Sequence, residues 1–151
     1  MSERLYPLSL EVNGKRVEAE VPSRQTLVDF LRDTLRLTGT HVGCAFDEVS
    51  IRHGDFALVS ACAQVALDAD GKCLRAALGI GGASPFPHAL PEAGEMLVGR
   101  RPDDKTIAEV ADAVAGLIDP DGDLHATADF RRHLARVMAT RVLKAAVEDA
   151  K

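Results

Sequence analysis

The feature that most constrains the fold is an almost unbroken apolar run at residues 56–67, rich in Val and Ala. A run of this kind between polar segments is typical of a buried strand. The sequence DADG at residues 68–71 follows it and predicts a turn. A second apolar segment then runs from Cys73 to about Leu78. These segments predict a β-hairpin.

A second hairpin is predicted near the N-terminus. Apolar and polar residues alternate at residues 8–12 and again at residues 17–21, with Asn13 and Gly14 between the two runs. Alternating runs around an Asn-Gly pair are the strongest short-range signal for a hairpin. Farther along the chain, residues 37–44 are rich in Gly and Thr and are predicted to form a loop.

Apolar residues at helical spacing predict four helices. They cover residues 25–36 with Ser23 as N-cap, residues 90–98 ended by Gly99, a stretch beginning at Asp103 or Asp104, and a last helix capped by Thr127. In the last helix the predicted apolar face consists of Phe130, Leu134, Val137, Met138 and Val142, and the predicted solvated face of Arg131, Arg132, Arg136 and Arg141. The order is hairpin, helix, hairpin, loop and three helices, which is an α+β fold.

The composition limits the function classes. The 151 residues carry a net charge of −5 and no basic stripe that would neutralise phosphates, which argues against nucleic-acid binding. No apolar segment reaches membrane-spanning length, so no membrane association is expected. Cys44, Cys62 and Cys73 are an odd number without paired spacing, which suits a reducing compartment, and the chain is expected in the cytoplasm. Cys62 and Cys73 lie in apolar strands and are expected to pack in the core.

The first third of the chain resembles a known subunit. The sequences LEVNGKRV at residues 10–17 and TLVDFLRDTLRLTGTHVGC at residues 26–44 resemble the start of the iron–sulfur small subunit of molybdenum hydroxylases, the family of xanthine dehydrogenase and aerobic carbon monoxide dehydrogenase. The resemblance covers about residues 6–44. In that family the loop carries further cysteines in the order C-x4-C-x2-C, with a fourth much later. Here seventeen residues separate Cys44 from Cys62, so the motif stops after one cysteine.

The remainder resembles a different subunit of the same enzymes. The sequences FDEVSIRHGDFALV at residues 46–59, LGIGGASPFP at residues 78–87 and ADFRRHLARV at residues 128–137 resemble the C-terminal domain of the flavin-binding medium subunit. This resemblance covers residues 46–147 and implies a small antiparallel sheet backed by three helices. It also implies that the flavin is held mainly by two preceding Gly-rich domains, whose pattern these 151 residues do not contain.

The two resemblances imply two domains. Residues 1–45 would be a truncated [2Fe–2S]-ferredoxin-like segment, or partial β-grasp, and residues 46–151 a carbon monoxide dehydrogenase flavoprotein C-terminal-like domain. A cluster needs four thiolates, so no cofactor is expected, and the scattered histidines predict no metal site. Because a hairpin with one helix is not stable alone, the N-terminal hairpin is expected to pack on the C-terminal sheet or on a second copy of the chain.

The loop predicted at residues 79–88 is the main candidate for a pocket. Ser84 and His88 supply a hydroxyl and an imidazole there, and the resemblance places the loop toward the flavin side. Three glycines would let a ligand approach the backbone closely: Gly79, Gly81 and Gly82. The alternative is a tight connection between strand and helix that needs glycine only for its geometry.

Two further groups of residues are candidates for chemistry. Arg52, His53 and Asp55 precede the apolar strand and would present acid/base groups at the mouth of a pocket. The alternative is a salt-bridged entrance to the strand. Cys44, with His41 nearby, is either a lone nucleophile or ligand, or a loop cysteine without a task.

Three functions are consistent with these patterns. The favoured one is a cofactor-free accessory or subunit-like protein, which docks on molybdenum hydroxylase-type subunits or on a second copy of itself, or binds a small molecule. The second is a repurposed enzyme for acid/base chemistry on a heterocyclic or carbonyl substrate, with catalytic His88, Asp55, His53 and Ser84 and ligand-binding Gly79, Gly81, Gly82 and Arg52. The third is a redox subunit that borrows a cluster or flavin across an interface. The sequence does not decide whether the chain is an enzyme.

Overall fold

A computed structural model describes residues 4–12, 14–35, 41–52 and 54–151. The chain divides into two compact units, residues 1–40 and residues 41–151.

The first unit contains the predicted N-terminal hairpin. Strands β1 (Leu5–Val12) and β2 (Lys15–Pro22) pair antiparallel, so only two residues separate the strands at the turn. Gly14 in this turn has a φ of 75°, a conformation that glycine adopts without strain. The hairpin is therefore confirmed where the Asn-Gly signal predicted it.

The helix of the first unit begins later than predicted. It consists of α1 (Leu27–Asp29), which continues as a π-helical segment at Phe30–Thr34. Its N-cap is Thr26, not Ser23. The Thr26 hydroxyl accepts a hydrogen bond from the backbone N–H of Asp29 at 3.2 Å, and the Asp29 carboxylate accepts one from the N–H of Thr26 at 3.3 Å. This reciprocal capping box satisfies two backbone donors, which a lone serine farther upstream would not do.

The second unit is a four-stranded antiparallel sheet with three helices. The strands are β3 (His41–Ser50), β4 (Ala57–Leu67), β5 (Cys73–Gly81) and β6 (His88–Ala89), and they lie in that order in the sheet. The helices are α2 (Pro91–Glu95), α3 (Asp104–Leu117) and α4 (Ala128–Asp149). The predicted α+β fold, with a small sheet backed by helices, is confirmed.

The core lies between the inner face of the sheet and the helices. Alternate residues of β4, such as Val59 and Val65, are fully buried, and α4 packs across β3 and β4 while α3 packs on α4. The caps predicted for the two long helices are present. The Asp103 carboxylate accepts a hydrogen bond from the N–H of Thr106 at 2.7 Å, and the Thr127 hydroxyl accepts one from the N–H of Phe130 at 3.2 Å. No helix in the described part of the chain combines the length and apolarity needed to cross a bilayer.

Two segments predicted as loops are strands instead. β3 already begins at His41, so the predicted loop does not extend to Cys44, and β5 continues to Gly81. Gly79 pairs with Cys62 on one side and Ala89 on the other. A Cβ atom on Gly79 would lie 3.1 Å from the sulfur of Cys62. Gly79 therefore makes room for a neighbouring strand within the sheet. The sequence alone did not show whether it serves this purpose or allows a flexible loop.

Gly43 controls how closely the last helix approaches the sheet. A Cβ atom at this position would overlap the carbonyl oxygen of Ala146 and would lie 2.5 Å from the backbone nitrogen of Ala150. The next residue is tied to the same helix end, because the N–H of Cys44 donates to the carboxylate of Asp149 at 3.1 Å. Only glycine lets the backbone of β3 meet the backbone of α4 in this way.

We predict that Gly43→Ala destabilises the second unit by about 3 kcal/mol, since backbone atoms of α4 would have to move to accommodate the methyl group. Unfolding in urea, followed by circular dichroism, measures the change. The control is Gly116→Ala in α3, where an added Cβ has no atom within 4 Å. That substitution should stabilise the protein by about 0.5–1 kcal/mol through helix propensity. Equal effects of the two substitutions would contradict the close approach.

Candidate functional site

The sheet of the second unit has an outer face, which lies opposite the helices and carries small and apolar side chains in its middle, with Glu48 and Arg75 toward its two ends. Its central row runs across all four strands, because Phe46 pairs with Cys62, Cys62 with Gly79, and Gly79 with Ala89. Phe46 is 66% exposed, and Cys62 is also exposed. A solvated sheet face normally alternates with polar side chains, so this row is unusual for a surface in water.

The outer face forms a shallow open depression of about 700 Å³. Its lining residues contain no carboxylate, ammonium, guanidinium or imidazole group: Cys44, Ala45, Phe46, Cys62, Ala63, Gln64, Ala77, Leu78, Gly79 and Ala89. The amide nitrogen of Gln64 lies 3.4 Å from the sulfur of Cys44, and its oxygen accepts a hydrogen bond from Arg75 at 3.1 Å. The one polar side chain of the lining is thus already engaged, and the rest of the face is apolar or weakly polar.

The structure corrects the prediction for one of the strand cysteines. Cys73 is 1% exposed, as predicted, and burial raises the pKa of its thiol. Cys62 instead lies exposed on the outer face. Both sides of β4 carry apolar residues, so alternation could not show which side faces the helices. Cys44 is exposed on the same outer face, in the neighbouring strand.

A second site surrounds Arg131, which was predicted on the solvated face of α4 but is 7% exposed. Its Nη1 donates to the carbonyl oxygens of Leu58 at 2.6 Å and Gly82 at 2.7 Å, and its Nη2 donates to the carboxylate of Asp123 at 2.6 Å. The guanidinium therefore ties the start of β4 and the end of β5 to the last helix. Phe130, predicted as a core residue, is 46% exposed.

Asp123 is held ionised beside this guanidinium. Backbone N–H groups of His125 and Ala126 donate to its carboxylate, and with Arg131 they lower the pKa of Asp123 to about 2. The pair lies against a depression of about 360 Å³, lined by Ile51, Arg52, Asp55, Phe56, Ala57, Leu58, Asp123, His125 and Arg131. Because two arginines and two aspartates line it in bonded pairs, their charges are balanced without a ligand.

The predicted site residues lie in separate places. Arg52 and Asp55 form an exposed ion pair of 3.2 Å at the rim of this second depression, and Gly82 meets Arg131 through its carbonyl. His53 lies outside the residues that the structure describes. Ser84 and His88 line neither of the two depressions.

Ser84 and His88 nevertheless form a pair of their own in the connection between β5 and β6. The hydroxyl oxygen of Ser84 lies 2.6 Å from Nε2 of His88, and the hydroxyl also lies 2.9 Å from the carbonyl oxygen of Phe86. A hydroxyl has one proton, so donation to the carbonyl leaves His88 as the donor to Ser84. A nucleophile activated by the imidazole would require the other arrangement.

The three thiols do not form a binding site for an iron–sulfur cluster. Cys44 and Cys62 lie on the outer face of the sheet, whereas Cys73 is buried at the beginning of β5. A [2Fe–2S] cluster needs four thiolate ligands in one place. The residues of a single chain therefore do not fit this group.

The cations of the last helix are matched within the unit. Each of the five Arg and Lys side chains of α4 pairs with an aspartate: Arg131 with Asp123, Arg132 with Asp119 and Asp129, Arg136 with Asp112, Arg141 with Asp47, and Lys144 with Asp104. Such surface pairs contribute little stability. These ion pairs neutralise the surface of α4 that was predicted from the sequence as an arginine-rich solvated face.

The fold and the sequence of the second unit match one family. The CO dehydrogenase flavoprotein C-terminal domain family matches residues 44–146. The chain belongs to this family. Its relationship to molybdenum hydroxylase subunits, expected from the sequence segments, is thereby confirmed.

Relatives of the chain carry the names of enzyme subunits. The chain is 36% identical over 109 residues to the 6-hydroxypseudooxynicotine dehydrogenase complex subunit alpha of Paenarthrobacter nicotinovorans, which covers 72% of this chain and 37% of that subunit. It is 52% identical over 40 residues to the aldehyde oxidoreductase iron–sulfur-binding subunit PaoA of Escherichia coli K12, which covers 26% of this chain and 18% of PaoA. The chain therefore spans little more than a third of the length of the 6-hydroxypseudooxynicotine dehydrogenase subunit.

Solved structures agree with the same family. A chain of quinoline 2-oxidoreductase from Pseudomonas putida 86 superposes with a TM-score of 0.68 and 29% identity, over 89% of this chain and 41% of that one. A chain of a Cu,Mo-CO dehydrogenase in its cyanide-inactivated form superposes with a TM-score of 0.68 and 26% identity, over 73% of this chain and 38% of that one.

The ion pair of Asp123 and Arg131 predicts a specific acid sensitivity. The pKa of Asp123 is about 2 in the folded chain and about 4 in an unfolded one. Because the folded value is the lower one, its contribution to stability is complete above about pH 4 and is lost as the pH falls through about 2. Asp123→Asn should lower the urea midpoint at pH 7 and flatten the loss of stability between about pH 4 and pH 2. Urea titrations across this pH range measure both effects.

The matched control is Asp129→Asn, which removes a 95% exposed carboxylate that pairs with Arg132. It should leave the urea midpoint at pH 7 nearly unchanged. An Asp123→Asn variant that keeps the acid sensitivity of the parent would show that another carboxylate is responsible.

Proposed function

We propose that the chain is a cofactor-free, subunit-like accessory protein that docks a protein partner through the outer face of its sheet. The observation that carries this proposal is the row of Phe46, Cys62, Gly79 and Ala89, which is uncharged and, apart from the half-buried Gly79, exposed. Exposed apolar patches of this kind mark interaction sites. The depression on this face is shallow and open, whereas small-molecule sites usually enclose most of their ligand.

The charge distribution favours the same face. The α4 surface carries cations, but these are already paired with aspartates of the same unit, so a partner there would have to compete with internal ion pairs. The lining of the outer face has no ionisable group of this kind, and its Gln64 is engaged by Arg75. A partner that covers the central row desolvates no charge, although the charged side chains of Glu48 and Arg75 lie on the same sheet face, one on each side of the row.

Candidate partners are molybdenum hydroxylase-type subunits or a second copy of the chain. The matched relatives carry names of enzyme subunits, one of them of a dehydrogenase complex, which supports a subunit-type role. We place the protein in the cytoplasm, because its three cysteines are free thiols in the structure and a reducing compartment preserves them.

We further propose that residues 1–45 derive from an iron–sulfur small subunit and residues 46–151 from a flavoprotein C-terminal domain. The short match to an iron–sulfur-binding subunit and the long match to a family of flavoprotein domains support two origins in one chain. The absence of four convergent thiols supports a role without a cluster of its own.

Phe46→Asp is predicted to abolish docking, because it places a charge at the centre of an apolar contact. The purified chain is tested alone and after mixing with purified iron–sulfur and molybdenum subunits of a bacterial molybdenum hydroxylase, by size-exclusion chromatography with light scattering. The parent chain should form a dimer or a mixed complex, and the variant neither. Circular dichroism checks that the variant is folded, which its 66% exposed position favours.

The control for this experiment is Phe86→Asp, which changes a 77% exposed Phe that does not line the outer face. It should dock like the parent chain. A parent chain that remains a monomer at every concentration and binds none of the subunits would refute the proposed function.

A second candidate function is acid/base catalysis, favoured by the distance of 2.6 Å between Ser84 and His88. Asp55 and Arg52 line a different depression from the Ser84–His88 pair. They would have to move toward this pair to take part in its chemistry. Labelling with a fluorophosphonate probe tests the pair directly. Labelling of the parent and its loss in both Ser84→Ala and His88→Ala would support an activated serine, and an unlabelled parent would exclude it.

A further inference from the structure

We propose that the partner of the outer face is a second copy of this chain, packed sheet against sheet about a two-fold axis along β4. This inference rests on the proposed docking function and names its partner. The observation behind the inference is the difference in side-chain size along the central row. Phe46 projects from β3, whereas the corresponding position on β5 is Gly79, which has no side chain.

A two-fold axis would let the large Phe46 on β3 of each copy fit against the small Gly79 on β5 of the other. β4 lies between β3 and β5. Rotation about a two-fold axis parallel to β4 therefore places β3 of one copy opposite β5 of the other copy. Phe46 of one copy then faces Gly79 of the other copy, next to Ala89. Packed sheets lie about 10 Å apart, and facing positions must pair large side chains with small ones. The row provides that pairing twice, once on each side of the axis.

The same axis brings one residue onto itself. Cys62 is the member of the row that lies on β4, so the two Cys62 side chains of a dimer would be neighbours across the axis. Cys62 is exposed in the single chain. This juxtaposition distinguishes the proposed dimer from arrangements whose two-fold axis does not pass Cys62.

Charge and area are compatible with such a pair. Each chain has a net charge of −5, so two copies repel each other over most of their surfaces, but the central row carries no charge. Glu48 and Arg75 lie on the same sheet face, one on each side of the row. The three long strands present a face of about 500 Å² per copy, estimated from strand spacing and rise. Two copies would cover about 1,000 Å², the lower limit for a specific interface. The dimer is therefore expected to be reversible and concentration-dependent.

Cross-linking with a short bismaleimide tests this geometry in the full chain. Cys44→Ala removes the other exposed thiol of the outer face, and Cys73 is buried. The Cys44→Ala variant should give a covalent dimer, and Cys44→Ala/Cys62→Ala none. In sedimentation equilibrium, Phe46→Ala should raise the dimer dissociation constant at least tenfold, whereas Phe86→Ala should not change it.

The outcomes separate this inference from the proposed function. A Cys44→Ala chain whose Cys62 reacts with a monofunctional maleimide but never cross-links would overturn the dimer. So would a dimer that Phe46→Ala leaves unchanged. If the chain is a monomer and yet binds a molybdenum hydroxylase subunit in a Phe46-dependent way, docking stands and the second copy is the wrong partner. A monomer that binds nothing overturns both.

Discussion

The second unit depends on the packing of α4 against the inner face of β3 and β4. At the C-terminal end of the helix, Gly43 permits contact between backbones, and the N–H of Cys44 is bonded to Asp149. At the N-terminal end, Arg131 reaches two strand carbonyls. The helix is thus attached to the sheet near both of its ends. The buried faces of the other helices are arranged around this pair, since α3 packs on α4 and α2 on β5.

This packing also determines the character of the opposite face. The helices of the unit are gathered on one side of the sheet, so the side chains on the other side are those that the unit does not need for its core. In β3 and β4 these include Phe46 and Cys62, where polar residues would be expected on a wetted surface. The central row of this face therefore has the composition of a covered surface, although the helices of the unit cover only the other face.

Much of the fold could be predicted from local signals. The Asn-Gly hairpin, the turn before Cys73 and the caps at Asp103 and Thr127 each depend on residues close in sequence, and each is present. The features that were mispredicted depend on distant partners. Arg131 looks like a surface residue until its contact with Leu58, 73 residues away, is known.

The candidate site was harder to predict for the same reason. The glycines of β5 suggested a flexible loop, but their role is to make space beside Cys62 and Ser60. Phe46 carried no signal of its own, because a single Phe in a polar stretch predicts neither a strand nor an exposed position. Only the pairing of four strands places it in line with Gly79 and Ala89. Ser84 and His88 are four residues apart, so their contact could have been predicted from the sequence.

Arg131 also has a consequence for the order in which the chain acquires its structure during synthesis. Its guanidinium bonds to carbonyl groups at residues 58 and 82, which leave the ribosome long before it does. Until Arg131 emerges, the start of β4 and the end of β5 lack the donor that holds them in the finished unit. The apolar inner surface of the sheet therefore stays uncovered until α4 has been synthesised. A chain that stops before this arginine would contain all four strands of the sheet but not α4, and its uncovered inner face would favour aggregation.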